Sequence, residues 1–313
     1  MDELVFGPVP SRRLGKSIGV NNIPHKVCSY SCLYCQVGKR DKIQIERQGF
    51  YSPDIIVKQV EQKLNSIKHE DFPNYITVVP DGEPTLDIKL GKLIANLKTF
   101  GLPVAVITNS SLVHLDDVTK DLSSADYISF KVDTVNHNTW KHINKPHKKL
   151  FLNDNLNALI AFKQDYKGIL VTETMLVKDV NNSDEELTAT AQFLQQLKPN
   201  ISYISVPTRP PAFQGTLPAN EENLLKAHEI FYWHCLNAEY LTGYEGNAFA
   251  SSGNFIDDLL SITAVHPMRK DAVKELMNKT NTGIEVLHQL IQNRQIIEAE
   301  YERQLFYVRS FKH

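Results

Sequence analysis

The chain alternates between short apolar segments and longer amphipathic segments, and this alternation constrains its fold more than any other feature. Six segments predict β-strands: 17–20, 75–79, 104–108, 127–132, 169–176 and 203–206. Six segments with helical spacing lie between or after them: 53–67, 88–100, 115–122, 153–163, 183–197 and 220–236. Strands that alternate with helices favour a parallel sheet with right-handed crossovers. We therefore predict an α/β fold, a partial (β/α)6 barrel, because six units are fewer than the eight of a closed barrel. A doubly wound sheet is the alternative.

The pattern changes near residue 250, where the segment 248–254 is small and polar. Three helical segments follow at 256–264, 269–278 and 283–293, and then two strand-like segments at 295–301 and 305–311. The turn between these strands contains Glu302, Arg303 and Gln304. Three helices and a hairpin are the outline of a winged helix. We predict a barrel over residues 1–250 and a winged-helix-like domain over 251–313.

Three of the four cysteines lie within eight residues, at Cys28, Cys32 and Cys35. Cysteines this close indicate metal or redox chemistry. Three thiolates from one loop can hold three corners of a [4Fe-4S] cluster and leave the fourth iron open to a substrate. Structural zinc is the competing interpretation, but it needs four ligands, and His25 is the nearest candidate for the fourth. Cys235 lies far away in an aromatic-rich helical segment, and we expect it to be a buried core cysteine.

The spacing C-x3-C-x2-C, with Tyr34 just before the last cysteine, resembles the defining motif of the radical S-adenosylmethionine (SAM) superfamily. The resemblance implies that the open iron chelates the amino and carboxylate groups of SAM and that Tyr34 lies at the cofactor. It implies an enzyme that cleaves SAM reductively into methionine and a 5′-deoxyadenosyl radical. The implied cofactors are one [4Fe-4S] cluster and SAM, and the implied partner is an electron donor such as flavodoxin or ferredoxin.

A second motif follows the predicted strand 75–79 and consists of Asp81, Gly82, Glu83 and Pro84. It is similar to the glycine-glycine-glutamate-proline motif of the same superfamily, with aspartate at the first position. The resemblance implies that these residues bind the SAM amino group. A glycine permits close backbone approach, and a carboxylate pairs with an ammonium group. The alternative is a turn whose acidic residue caps a helix.

Polar residues also stand in or after three later strands, where an unpartnered polar group would be costly. They are Asn109, Lys131, Asp133 and Glu173. In the superfamily such positions contact SAM or the substrate, so the resemblance implies cofactor contacts here. Alternatively, each could be a barrel-lining group satisfied by its neighbours, and Lys131 could form a structural ion pair with Asp133.

The opening segment 6–21 resembles the radical SAM subgroup that includes the wyosine-forming tRNA synthase. This resemblance implies an RNA base as substrate, with a peptide as the other candidate. Arg12, Arg13 and Lys16 could bind phosphate or the SAM carboxylate, or could form a solvated basic loop. Wyosine synthases hold a second cluster with cysteines that precede the C-x3-C-x2-C motif. Residues 1–27 contain no cysteine, so the wyosine reaction itself is not expected.

Charge and hydropathy leave the partner of the C-terminal segment open. The formal net charge is −2, and residues 255–313 contain as many acidic as basic residues, whereas phosphate binding favours a basic excess. Arg294, Arg303, Arg309 and Lys312 could still gather on one face, so RNA contact and protein packing are both considered. The other function class is a non-catalytic iron–sulfur sensor, which would have no need of the motif at 81–84. No apolar run is long enough to span a membrane, and the N-terminus lacks a signal peptide, so a cytoplasmic location is expected.

Overall fold

The computed structural model describes residues 3–39, 43–242, 249, 251 and 253–310. Its main sheet has eight strands in sequential order. They are β1 (Val5–Ser11), β2 (Gly15–Val20), β3 (Tyr75–Val78), β4 (Val104–Thr108), β5 (Tyr127–Lys131), β6 (Ile169–Met175), β7 (Ile201–Ser205) and β8 (Ala238–Leu241). Strands β2 to β8 are parallel to their neighbours, and β1 pairs with β2 in the antiparallel sense. The sheet curls into an open half-barrel, which confirms the predicted fold class.

Seven helices follow or connect these strands. They are α1 (Pro53–Ser66), α2 (Leu90–Lys98), α3 (Asp116–Leu122), α4 (His137–Ile143), α5 (Leu152–Asp165), α6 (Asp184–Leu197) and α7 (Glu221–Trp233). Local signals set their starts: Pro53 occupies the first turn of α1, and Ser183 caps α6 by accepting a hydrogen bond from the Glu186 N–H. Ile56 and Val60, one helical turn apart, are buried in the core, so α1 packs through one face.

Alternation along each strand divides the sheet into an outer and an inner face. Ile128 and Phe130 of β5 belong to the large core that the helices cover. Tyr127 of the same strand joins a smaller cluster with Ala105 and Val171 on the opposite face. Ser129 and Glu173 also project to this inner face, so polar groups line the inside of the half-barrel.

Two strands of the sheet do not appear in the sequence prediction. The first, β1, contains two prolines and a glycine, which weaken the strand pattern, yet an antiparallel edge strand tolerates proline. The last strand, β8, has only four residues and is mostly exposed, so it gives a weak apolar signal. Cys235, which precedes β8, is exposed, so its predicted burial is wrong. It has a left-handed backbone (φ 56°) in the turn that ends α7, outside the packed face of the helix.

The C-terminal residues form α8 (Phe255–Val265), β9 (Met268–Arg269), α9 (Lys270–Lys279), α10 (Ile284–Gln292), β10 (Ile296–Tyr301) and β11 (Gln304–Arg309). The three strands form one sheet in the order β10-β11-β9. A separate apolar cluster runs from Phe249 through Leu259 and Leu276 to Ile296. We call this unit the C-terminal module. Its boundary and its winged-helix assignment stay predictions, and part of the predicted junction 248–254 lies outside the described residues.

The C-terminal module packs on the barrel beside β1 and α1. Val9 of β1 contacts its apolar cluster. Asp258 of α8 lies 3.7 Å from the Lys63 ammonium, and the Tyr301 hydroxyl donates to the carbonyl of Pro207 (3.3 Å). In the part of the chain that the structure describes, no helix combines the length and apolar character needed to cross a bilayer.

Candidate functional site

The three neighbouring cysteines lie on the loop after β2, at the carboxyl ends of the parallel strands. Backbone hydrogen bonds fasten this loop to the residues at the end of α4. The N–H of Leu33 donates to the backbone carbonyl of Ile143 (2.8 Å), and the N–H of Ser31 donates to the backbone carbonyl of Asn144 (3.1 Å). Because these bonds join segments that are distant in sequence, the barrel fixes the shape of the cysteine loop.

The thiols of Cys28, Cys32 and Cys35 share a small, largely buried space. Cys28 is buried, and the other two are partly exposed. Burial raises the pKa of the Cys32 thiol, and the charges of Cys35, Asp133 and Cys28 raise it further. Three ionised thiols can share this space only if bound cations offset their charge. An iron–sulfur cluster does so, because metal binding deprotonates its thiol ligands, and the donor set therefore fits a cluster.

A site for a single metal ion is a different arrangement. Within the described ranges, no three His, Cys, Asp or Glu side chains converge as ligands of one ion. The cysteines of a [4Fe-4S] cluster each bind a different iron, so their sulfur atoms need not converge on one point. His25, the candidate fourth ligand of zinc, instead places Nδ1 2.9 Å from Asp81 Oδ2.

Two side-chain amides face sulfur atoms of the cysteine loop. Asn109, directly after β4, donates from Nδ2 to Cys28 Sγ (3.5 Å). Asn144, directly after α4, donates from Nδ2 to Cys32 Sγ (3.6 Å). Amide hydrogen bonds to cluster sulfurs are one of the means by which proteins adjust iron–sulfur centres.

The predicted motif at 81–84 packs against the cysteine loop. The N–H of Glu83 donates to the carbonyl of Val27 (3.0 Å). A Cβ atom at Gly82 would lie 1.8 Å from that same carbonyl oxygen, so only glycine fits here. Pro84 is buried, and its carbonyl accepts a hydrogen bond from Asn22 Nδ2 (3.1 Å). The two motifs that the sequence predicts to bind cofactors are therefore in direct backbone contact.

Glu83 is fully buried, and its carboxylate joins the ends of β3 and β4. Oε1 accepts from the Thr85 N–H (3.1 Å), the Thr85 hydroxyl (2.6 Å) and the Thr108 hydroxyl (2.6 Å), and Oε2 accepts from the Asn109 N–H (2.8 Å). Burial raises its pKa, although these hydrogen bonds oppose the shift. Glu83 also caps the short 3₁₀ turn Pro84–Leu86, as the alternative interpretation expected. Contact with a SAM ammonium stays a prediction.

Asp133 connects the cysteine loop to the end of β5. Its Oδ2 accepts from the Tyr34 hydroxyl and from Asn144 Nδ2 (2.7 Å), and its Oδ1 accepts from the Met175 N–H (2.9 Å). Burial raises the pKa of Asp133, and Lys131 and these donors partly offset the effect. Tyr34 and Asp133, both predicted as cofactor contacts, thus hold each other in place beside Cys32.

Glu173 forms an ionic group inside the half-barrel with residues from three other elements. Its Oε1 lies 2.8 Å from Lys131 Nζ and accepts from Ser205 Oγ (2.9 Å), and its Oε2 lies 2.6 Å from Arg13 Nη1. Burial disfavours its charge, but Lys131 and Arg13 outweigh burial and hold the pKa well below its ordinary value. Lys131 Nζ also lies 5.1 Å from the centre of the Tyr34 ring. Lys131 thus pairs with Glu173 and not with Asp133.

The basic residues of the opening segment have structural partners. Arg12 Nη1 donates to the carbonyl of Leu241, and Lys16 Nζ lies 2.8 Å from Asp71 Oδ1. Arg13 reaches into the barrel to Glu173. The segment is therefore not a solvated basic loop, and its contact with SAM or phosphate stays a prediction.

A cavity of about 160 Å³ lies between the barrel interior, the cysteine loop and the C-terminal module. Its polar lining includes Arg13, Ser17, Gln36, Thr77, Arg209 and His266. Arg209 Nη1 donates to Gln36 Oε1 (2.9 Å), and Arg209 Nη2 lies 2.8 Å from His266 Nε2. Arginine only donates, so His266 Nε2 is the acceptor. A chain of contacts thus joins the C-terminal module to the residue after Cys35.

The sequence did not single out Asn144, Ser205, Arg209 or His266. Asn144 directly follows α4, and the cap that starts this helix is a usable sequence signal. Asn136 Oδ1 accepts from the N–H groups of Asn138 and Thr139, as an N-cap does. Ser205 ends β7, where polar residues face the barrel interior. Nothing in the sequence near Arg209 or His266 distinguishes them, because their roles depend on how the two units pack.

Comparison with known proteins agrees with this arrangement. The family model of the radical SAM superfamily matches residues 22–194. The chain is 45% identical over 311 residues to the UPF0026 protein MJ1312 of Methanocaldococcus jannaschii, covering 99% of this chain and 97% of that protein.

Two solved structures share the fold at low sequence identity. One is TYW1 with a lysine-pyruvate adduct bound, with a TM-score of 0.56, 16% identity and coverage of 76% of this chain and 80% of that chain. The other is Streptococcus suis SuiB bound to S-adenosylmethionine, with a TM-score of 0.55, 11% identity and coverage of 72% and 51%. At this identity the likeness concerns the fold alone.

Proposed function

The chain belongs to the radical SAM superfamily, whose cofactors are a [4Fe-4S] cluster and SAM, and we propose that it is an enzyme acting on an RNA base. In this proposal Cys28, Cys32 and Cys35 hold one cluster. When bound there, the cluster would supply the electron for reductive cleavage of SAM to methionine and a 5′-deoxyadenosyl radical, which would abstract a hydrogen atom from the substrate.

One observation carries this proposal: three thiols crowd at the carboxyl edge of the parallel sheet, in backbone contact with the motif at 81–84. A metal-free protein gains nothing from crowding groups whose ionisation is mutually unfavourable. The bond from the Glu83 N–H to the carbonyl of Val27 fixes the second motif against the first. A molecule held by both motifs would therefore be oriented by rigid backbone, which favours a single reactive geometry.

Two buried carboxylates give this region the charge that suits SAM. Glu83 and Asp133 accept their hydrogen bonds from neutral donors, and burial raises the pKa of both. SAM carries a sulfonium and an ammonium group against one carboxylate. Its net positive charge would stabilise the ionised form of both acids. We propose that Glu83 Oε2, which accepts one hydrogen bond, faces the ammonium group, and that Asp81, Gly82 and Pro84 shape the same pocket.

The ionic group around Glu173 would serve the other end of the site. Two cations and one carboxylate give it a net positive charge. Arg13 and Lys131 are therefore proposed to attract an anionic group, either the carboxylate of SAM or a phosphate of the substrate. Lys131 lies over the ring of Tyr34, next to Cys35, so this charge is close to the proposed cluster.

We propose an RNA base as substrate because the opening segment 6–21 resembles the subgroup that includes the wyosine-forming tRNA synthase. A groove on the C-terminal module supports this choice, because Arg294 and Arg309 both line it, and guanidinium groups suit phosphate. The wyosine reaction itself is not proposed, since the four cysteines cannot supply three ligands to each of two clusters.

The C-terminal module is proposed to be a winged-helix-like domain over residues 251–313 that positions the substrate. Its element order, with three helices and a three-stranded sheet, is compatible with that assignment. His266 and Arg209 link it to the cysteine loop, so a substrate held by the module would lie near the reacting centre.

The test has two stages, both with protein reconstituted anaerobically with iron and sulfide. With a strong reductant, or with flavodoxin or ferredoxin as electron donor, the protein should convert SAM to 5′-deoxyadenosine and methionine. Mass spectrometry of tRNA nucleosides from cells with and without the gene should then reveal one nucleoside that depends on the gene. If tRNA is unchanged and a peptide carries a modification that depends on the gene, the substrate is a peptide and not RNA. A loaded cluster that never cleaves SAM would favour the iron–sulfur sensor.

A further inference from the structure

Asn109 and Asn144 follow two different elements and make the same kind of contact with the cysteine loop. Each directs a side-chain amide nitrogen at a thiol sulfur, at 3.5 Å from Cys28 Sγ and at 3.6 Å from Cys32 Sγ. The two asparagines follow different elements, β4 and α4. Two of the three cysteines therefore each have an amide donor, and the two donors come from separate parts of the chain.

The orientation of the Asn109 amide follows from its other partners, and its Nδ2 also donates to Ser29 Oγ (3.0 Å). Its Oδ1 accepts from the Ser111 N–H (2.9 Å), so the opposite atom facing Cys28 is the nitrogen. The Asn109 backbone N–H also donates to Glu83 Oε2 (2.8 Å), which fixes the residue from its main chain. The donor is thus held toward the sulfur before any ligand binds.

The orientation of the Asn144 amide is fixed in the same manner. Its Nδ2 donates to Asp133 Oδ2 (2.7 Å), which also accepts from the Tyr34 hydroxyl, and lies 3.4 Å from that hydroxyl oxygen. Asn144 is 3% exposed, and its carbonyl accepts from the Ser31 N–H (3.1 Å). Both the backbone and the side chain of Asn144 therefore hold the cysteine loop.

We propose that Asn109 and Asn144 are positioning residues that donate N–H···S hydrogen bonds to the cluster ligands and raise the reduction potential of the cluster. The inference rests on the proposed function, since it requires that Cys28 and Cys32 bind the cluster. Reduction adds one electron, and donors aimed at the sulfur ligands stabilise that added charge. Asn109 therefore acts on a thiolate, whereas the sequence predicted it as a contact of SAM.

The experiment is a redox titration of the reconstituted holoprotein in the absence of SAM, followed by the electron paramagnetic resonance signal of the reduced cluster. The variants are Asn109→Ala and Asn144→Ala. Each should lower the midpoint potential, so that at a fixed applied potential the reduced-to-oxidised ratio falls about tenfold, or 59 mV for a one-electron couple. The isosteric Asn109→Asp, which replaces the donor by a charge, should lower it at least as far.

Asn155→Ala is the matched control. Asn155 is a buried asparagine whose Nδ2 donates to the Tyr30 hydroxyl (3.4 Å), so its loss perturbs the same region. It donates to no cysteine in the described contacts, and its midpoint potential should equal that of the wild type. Iron content is measured for every variant, so that loss of the cluster is not mistaken for a change of potential.

Each other outcome has a defined meaning. Loaded variants with the wild-type potential would overturn the proposal. If Asn109→Ala keeps its potential but binds SAM more weakly, Asn109 is a SAM contact and its assignment here is wrong. If all variants, including Asn155→Ala, shift equally, the effect is general loosening, and the proposal also fails. A wild-type protein that holds no cluster would instead refute the proposed function, and this inference would fall with it.

Discussion

Two regions of the half-barrel bind their buried carboxylates in opposite ways. Beside the cysteine loop, Glu83 and Asp133 are held by hydroxyl, amide and backbone donors, and burial raises the pKa of both. Inside the half-barrel, Glu173 lies between Lys131 and Arg13, and its pKa is depressed. In the described contacts, the carboxylate of Glu83 has no Lys or Arg nitrogen at ion-pair distance, whereas that of Glu173 has two.

With these two arrangements side by side, one small site can hold a ligand that carries both a positive and a negative group. The side of Glu83 and Asp133 gains stability from an incoming cation, because a cation reverses the burial effect on their charge. The side of Arg13 and Lys131 carries one positive charge in excess and gains from an anion. In the proposed function, these two charges would orient SAM, which carries both signs, as it enters the site.

The largest expected effect concerns the thiols themselves. Replacing Cys28, Cys32 or Cys35 by Ala should abolish the cluster, because each thiolate would bind one iron of the proposed cluster. Cys235→Ala is the matched control, since Cys235 is exposed and lies beyond α7. The cluster content of each variant is measured from its iron content and from the visible absorbance of the sulfur-to-iron charge-transfer bands. A variant at one of the three positions that keeps a full cluster would show that another residue is the ligand.

The next effect is on stability. Glu173→Gln removes the one carboxylate between two largely buried cations, and breaking a buried ion pair typically costs about 3–5 kcal/mol. Urea unfolding at pH 7 measures the free energy of unfolding. Asp184→Asn breaks an exposed pair with Lys226 and should change it little. If the two substitutions lower the free energy of unfolding equally, the buried ionic group stabilises the fold no more than an exposed ion pair does.

The pH dependence of Glu173 has a definite sign. Its folded-state pKa lies below the ordinary value of 4.5, so its contribution is fully present above that pH. The contribution is lost as the pH falls below 4.5 through the depressed pKa. The difference in unfolding free energy between wild type and Glu173→Gln should therefore be constant from pH 8 to 6 and shrink below 4.5. A difference that grows on acidification would contradict the ion-pair account.

A smaller effect is expected on SAM binding. Glu83→Ala removes the proposed ammonium partner, and one charge-assisted hydrogen bond is worth about 1.5–3 kcal/mol, or roughly ten- to hundredfold in the dissociation constant. Glu186→Ala is the matched control, because Glu186 also accepts from two threonine hydroxyls but lies on α6. Equilibrium dialysis with the reconstituted protein measures the affinity. Unchanged binding by the Glu83 variant would limit Glu83 to capping and loop support.

The smallest effect should come from the C-terminal module. His266→Ala removes the acceptor that orients Arg209, a loss of about 1 kcal/mol for one hydrogen bond, or roughly fivefold. It should raise the KM for the substrate and leave substrate-free cleavage of SAM at the wild-type rate. If substrate-free cleavage falls as well, the module supports the cluster and not the substrate.

The sequence identified several residues that the structure brings together, because their signals are local. The spacing of Cys28, Cys32 and Cys35 lies within one loop, and the motif containing Glu83 directly follows a strand. The predicted starts of α1 and α6 agree with the structure to within one residue, since Pro53 and Ser183 mark them. Such features depend on short-range sterics and hydrogen bonding, which a sequence displays directly.

The rest depends on tertiary pairing. Glu173 is recognisable in the sequence as a polar residue in a strand, but its partner Arg13 comes from the distant turn between β1 and β2. Lys131 has Asp133 two residues away in sequence, yet the strand pairing places it beside Glu173. The same holds for Arg209 and His266, which meet only because the C-terminal module packs on the barrel. Cys235 was predicted to be buried from residue type, and a turn after α7 overrode that preference.

The iron and sulfide content of the anaerobically reconstituted wild-type protein tests the central claim most directly. One cluster held by three thiolates predicts about four irons and four sulfides per chain, with SAM perturbing the spectrum of the cluster because one iron lacks a protein ligand. About eight irons per chain, or zinc in place of iron after strictly anaerobic preparation, would contradict it.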